Sequence, residues 1–291
     1  MVLAGLAAGL LGASAGLAQP EGEATDGESG ANIVVTAPPD EPPTQAEVTR
    51  QARTVTAETS LRRSPLPRFE GDRLCPGIAG LSTADAGLMV DRIRDTAARL
   101  GLWMTDDDGT CTPNFVVAFV DDAQAMSEGV VRARHHLFRE MPFHELKELR
   151  AEQGPVRVWT ATMWRTRDGM SLGSTLWQSS SRIYLASRED IVWVLVLVDR
   201  DEAQGKTLLQ LADYATMRGL ARTRPANGDG QAMDTILALF DPAAPPPRQM
   251  TDFDRAYLAA LYDGMASMPG ITKVHGVNRQ LRRQAAEQER D

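Results

Sequence analysis

Ile191-Val192-Trp193-Val194-Leu195-Val196-Leu197-Val198 is an unbroken apolar run. A strand with one wet face would alternate, so this one asks for cover on both sides. Downstream, after Asp199-Arg200, residues 206–222 carry the spacing of a long helix. Upstream, residues 114–120 (Asn-Phe-Val-Val-Ala-Phe-Val) read as a second buried strand. Residues 156–164 alternate Val156, Val158, Thr160, Thr162, Trp164 against Arg157, Trp159, Ala161, Met163, a strand with one wetter face. A further strand is expected at 181–186, joined to the apolar run through a hairpin at Arg188-Glu189-Asp190.

Helices fill the rest. Ser82 or Thr83 can cap a helix over 84–100, with Gly101 as its stop. Others are expected at 123–138, at 143–152 after Pro142, near 233–240, at 252–262 and in a charged tail. The order predicts a single α+β domain over 67–272, with a mixed sheet of four to five strands packed with helices, and a helical tail over 273–291.

The front of the chain reads differently. Residues 1–18 hold no charged side chain, and Gly16-Leu17-Ala18 puts small residues at −3 and −1 of a cleavage point before Gln19. This is the pattern of a signal peptide, although no Lys or Arg precedes the apolar stretch. A retained membrane anchor is the alternative; a span wants about 20 strongly apolar residues, and this stretch leans on Ala and Gly. Residues 19–66 are rich in Pro, Glu, Thr, Ser and Gly, with eight acids against four bases. Such a composition predicts a disordered acidic linker, with a helical turn near 45–53. Within it, Asn32-Ile33-Val34-Val35-Thr36-Ala37 resembles the short segment by which outer-membrane receptors pair with an energy-transducing protein through strand addition.

Net charge is −8 and the isoelectric point about 5.2, which argues against a nucleic-acid surface and against attraction to anionic lipid. The two cysteines, Cys75 and Cys111, flank one predicted helix; a bridge between them would suit an oxidising compartment and contribute roughly 3–4 kcal/mol. The expectation is therefore a periplasmic or secreted protein, with no membrane span once the signal is removed.

Three patches carry a family resemblance: Cys75-Pro76-Gly77-Ile78-Ala79-Gly80 with Cys111-Thr112-Pro113-Asn114; Val198-Asp199-Arg200 leading to Gln210-Leu211-Ala212-Asp213-Tyr214-Ala215; and Met250-Thr251-Asp252-Phe253-Asp254-Arg255-Ala256-Tyr257 through Tyr262. Over roughly residues 68–265 the chain resembles uncharacterised exported proteins of alphaproteobacteria and, more distantly, is similar to zincin-like metallopeptidase domains. What the resemblance implies is mostly negative. A zincin carries His-Glu-x-x-His on the long helix, two imidazoles for zinc and a carboxylate for its bound water. Here Leu209 stands for the first His, Gln210 for the Glu and Asp213 for the second His. The resemblance therefore implies a domain without catalysis, in which Asp199, Gln210, Asp213, Tyr214 and Asp254 are structural or line a small polar pocket. No cofactor is expected, and the partner is an unknown protein of the cell envelope.

The sharpest rival is Phe143-His144-Glu145-Leu146-Lys147-Glu148, where His144, Glu145 and Glu148 could bind a metal in a hydrolase. The same residues also make an amphipathic helix with its charges in water. His135-His136 offers one further ligand at most, because neighbouring helical residues point about 100° apart. Gly169-Met170-Ser171-Leu172-Gly173 matches the form of a serine-hydrolase elbow but lacks the strand before it and the helix after it. Asp106-Asp107-Asp108-Gly109 and Asn227-Gly228-Asp229-Gly230 read as acidic turns, without the bidentate Glu a calcium loop requires.

Overall fold

The computed structural model describes residues 42–58, 60–106, 109–133, 147, 152, 154–171, 184–226 and 234–290. The chain divides into residues 1–42 and a compact unit over 43–291. The signal segment, the 32–37 island, His135, His136, His144, Glu145 and Glu148 all lie outside the described residues. So does the Asn227–Gly230 turn.

The compact unit is an α+β domain with a four-stranded mixed sheet and, among the described residues, six α-helices. We number them α1 (Gln45–Val55), β1 (Pro76–Ala79), α2 (Thr83–Arg99), β2 (Phe115–Val120), α3 (Ala123–Ala133), β3 (Val156–Thr166), β4 (Ser187–Asp199), α4 (Leu208–Leu220), α5 (Asp252–Tyr262) and α6 (Gly270–Gln288). Strand order is β1-β2-β4-β3; the first three run parallel and β3 pairs antiparallel to β4.

The apolar run forms most of β4, which lies inside the sheet between β2 and β3. Its alternate residues serve two cores. Val194, Val196 and Val198 join Phe115 and Val117 in the main core with α1, α2, α4, α5 and α6. Leu195 and Leu197 pack with Trp159 and Ala123 on the other face, where α3 lies. Both sides are covered, as the lack of alternation requires. Between Ala161 and Thr162 the register shifts by one residue on β4, a bulge at Val192 that brings Ile191 into the main core.

Local chemistry sets the helix ends. Ser82 accepts from the Asp85 N–H and starts α2, whose Met89, Ile93, Thr96 and Ala97 face inward. Gly101, at φ +72°, stops it. Reciprocal capping boxes open α1 (Thr44 with Glu47), α4 (Thr207 with Gln210) and α5 (Thr251 with Asp254). Gly219 lets α4 lie flat on the sheet: a Cβ there would stand 2.4 Å from the Phe115 ring.

Several expectations need correction. The linker does not extend to residue 66, because α1 is an ordered helix whose Val48, Ala52 and Val55 are core residues. Those side chains recur at i, i+4 and i+7, a stripe that the surrounding polar residues hide from a composition argument. Arg188-Glu189-Asp190 is not a hairpin turn but part of β4, paired with Met163, Trp164 and Arg165. Residues 184–186 are not a strand, and β4 starts at Ser187 instead. The helix near 233–240 is one 3-10 turn, Ile236–Ala238. Pro76–Ala79 is a strand that was not expected. The tail is not peripheral from residue 273: α6 starts at Gly270, and its first half buries Lys273, Val274, Val277 and Gln280. Cys75 and Cys111 are disulfide-bonded, with Cα atoms 6.3 Å apart.

Candidate functional site

The α4 positions highlighted by the sequence are occupied by structural bonding. Leu209 is 49% exposed and points away from the core. Gln210 closes the capping box through its Oε1 on the Thr207 N–H (2.8 Å), while its Nε2 donates to the Pro247 carbonyl. Asp213 is fully buried and accepts from Arg92 Nε (2.7 Å), Arg92 Nη2 (2.9 Å) and the Met250 N–H (2.7 Å). These three bonds tie α2 and the α5 entrance to α4. Tyr214, also buried, accepts from Arg218, whose guanidinium bonds Glu152 as well. Burial pushes the Tyr214 hydroxyl up.

Asp254 is a second internal staple. One oxygen accepts from the Thr235 hydroxyl (2.5 Å); the other accepts from the N–H groups of Ile236 (2.7 Å) and Thr251 (2.9 Å) and from the Thr251 hydroxyl (3.0 Å). Burial outweighs these donors and pushes its carboxyl up to about 6. Asp199 is the last residue of β4, where its carboxylate accepts from the Asp201 N–H. Each of these five residues is thus bound into its own set of protein groups. Ser171 follows the turn after β3, and its Oγ lies 3.8 Å from the Met163 sulfur rather than on a base.

A charged cluster surrounds the start of β4. Fully buried Asp190 meets Arg165 at 3.2 Å and Arg188 at 3.0 Å, and Glu70 meets Arg68 at 2.7 Å and Arg188 at 3.7 Å. Desolvation dominates at Asp190 and raises its carboxyl, with both arginines pulling the other way. Arg68 is buried too; it donates to the carbonyls of Leu261 and Gly264, pinning the end of α5. Opposite charges alternate at 2.7 to 3.7 Å, so the cluster reads as architecture.

One recess has unspent chemistry. Between the end of α5 and the start of α6 lies an open cavity of about 690 Å³ lined by Arg62, Asp263, Lys273, His275 and Arg279, with Met268 and Ile271 as apolar wall. Asp263 caps α5 and takes three donors: Lys273 Nζ on its main-chain carbonyl, and Arg279 (2.7 Å) and Gln280 (3.3 Å) on its carboxylate. Lys273 is only 5% exposed. Desolvation first, and then the charge of Arg68, lower its ammonium to about 8, with Asp263 and Glu70 opposing. His275 Nε2 lies 3.3 Å from Arg53. Because a guanidinium only donates, that nitrogen accepts and Nδ1 carries the ring proton.

None of these cavity residues was singled out from sequence. The signal was present: Lys273 shares a helical face with Val277 and Gln280, at i+4 and i+7, so a lysine stands where a buried residue belongs. Among the described residues, no three His, Cys, Asp or Glu side chains converge to hold a metal ion. No helix among them is long and apolar enough to cross a membrane.

The fold and this recess together define a single-domain α+β protein with a cation-lined cavity. No family model, no curated protein and no solved structure matches the chain.

Proposed function

We propose that the chain is an exported, non-catalytic binding or scaffolding domain of the cell envelope, periplasmic or secreted, built on a degenerate zincin-like framework. The observation that carries this reading is the engagement of Asp213, whose fully buried carboxylate takes three donors, two from Arg92 and one from the Met250 N–H, and is charge-paired with Arg92 rather than turned toward an ion. Leu209 and Gln210 support it, the one lacking a donor atom and the other committed to capping α4. The order of a buried apolar strand followed directly by a long helix is the order a zincin-like domain would have. The Cys75–Cys111 bridge suits an oxidising compartment.

The test is metal analysis of the purified chain by mass spectrometry, with peptidase assays alongside. The expected result is zinc far below one equivalent and no hydrolysis above background. Stoichiometric zinc that disappears in His144→Ala would sink the reading and hand the role to a hydrolase site built on His144, Glu145 and Glu148.

A further inference from the structure

We infer that the cavity between α5 and α6 binds a small phosphate-bearing anion, either free phosphate or a soluble phosphomonoester, through Arg62, Lys273 and Arg279. The inference rests on reading the chain as a binding protein and names the ligand class.

Charge is the first argument. The chain as a whole carries −8, yet three cations here face one carboxylate. Asp263 offsets one of them, and the remaining surplus matches the charge of about −1.5 to −2 on a phosphate monoester near neutral pH.

Donor count is the second. An ammonium has three N–H bonds, and Lys273 commits one to the Asp263 carbonyl. Arg279 commits one end of its guanidinium to the Asp263 carboxylate. Among the described residues no carboxylate pairs with Arg62, whose planar fork is suited to two phosphate oxygens. His275 stands at the rim.

Burial is the third. Holding an ammonium at 5% exposure disfavours its charge, and Asp263 and Glu70 offset only part of that burial and of the repulsion from Arg68 and Arg279. A protein gains nothing for its own stability from such a lysine. An arriving dianion would add counter-charge beside this buried ammonium, with Arg62 and Arg279 meeting it from the exposed rim.

The experiment is isothermal titration calorimetry of the full chain with inorganic phosphate and with glycerol phosphate, repeated on Arg62→Gln and Lys273→Met. Saturable binding of either anion, weakened tenfold or more in both variants, is expected; which anion binds more tightly tells free phosphate from monoester. Arg62 is exposed, so Arg62→Gln keeps the test decisive even if Lys273→Met were to misfold. No saturable heat with either anion, affinity retained in Arg62→Gln, or binding confined to vesicles of anionic phospholipid would each overturn the inference. Such a failure would leave the non-catalytic reading intact, because that reading falls on bound zinc and hydrolysis, not on anion binding.

Discussion

Arg92 on α2 grips both carboxylate oxygens of Asp213 on α4, at 2.7 and 2.9 Å, and this bidentate pair ties the two helices together. The partners are unequal. Asp213 is fully buried, whereas Arg92 is 21% exposed and can reach water. Arg92→Leu therefore strands a buried charge and is expected to cost about 3–5 kcal/mol. Asp213→Asn, which still accepts from the Met250 N–H, is expected to cost about 1–3 kcal/mol. Urea denaturation of the two variants checks the order; equal losses would show that the pair is not the main tie.

Asp254 makes stability depend on pH. Its folded carboxyl is raised to about 6 from an ordinary 3.8, so the folded state holds its proton more tightly than the unfolded chain. That contribution is complete below about pH 4 and is lost as pH rises through about 6. The change is about 3 kcal/mol at 1.36 kcal/mol per pKa unit. Stability of the wild type relative to Asp254→Asn should therefore fall between pH 4 and 6 and level off above. A flat difference across that window would mean that the Thr235, Ile236 and Thr251 donors keep the group ionised.

Lys273 has the opposite sign. Its folded ammonium lies near 8 against an ordinary 10.5, so folding favours the neutral amine. Wild-type stability should rise relative to Lys273→Met as pH climbs from about 8 toward 10.5. At pH 7 the Met variant should be more stable by about 1 kcal/mol, because losing a desolvated charge offsets losing its one bond to Asp263. Thermal melts across the pH series decide this; a less stable Met variant would mark the lysine as structural.

The Cys75–Cys111 bridge spans a sequence separation of 36. Loop-closure entropy for that length gives about 4 kcal/mol. Cys75→Ala with Cys111→Ala should shift the urea midpoint accordingly, and a reductant should then have no further effect. A shift below about 1 kcal/mol would refute the bridge as a stabilising link.

A chain beginning at Ala57 should melt well below one beginning at Pro43, because it lacks the Val48, Ala52 and Val55 contacts of α1. Full burial of a Val side chain is worth about 1.5–3 kcal/mol. Equal melting temperatures would mean that α1 is dispensable to the core.

The sequence made some elements easy to read and hid others. The Ile191–Val198 run had to be an interior strand, and residues 206–222 had to hold a long helix, since both signals are local. Arg188 and Asp190 looked like a solvated turn because charge argues for water. What buries them is Arg165 on β3 and Glu70 before β1, and no local rule sees partners that distant. Lys273 was hidden in the same way: a tail dense in Arg and Glu conceals the stripe of Val274, Val277 and Gln280 that anchors α6.

The bulge at Val192 has a consequence for how β4 can change over generations. Side chains along a strand alternate strictly, so the inserted residue resets which ones look inward, placing Ile191 in the main core a step from the Arg165–Asp190 contacts. Removing that one residue would swap the two sides of everything before it, aiming a carboxylate at oil and a hydrocarbon at the arginines. The strand should tolerate drift in its letters and almost none in its length.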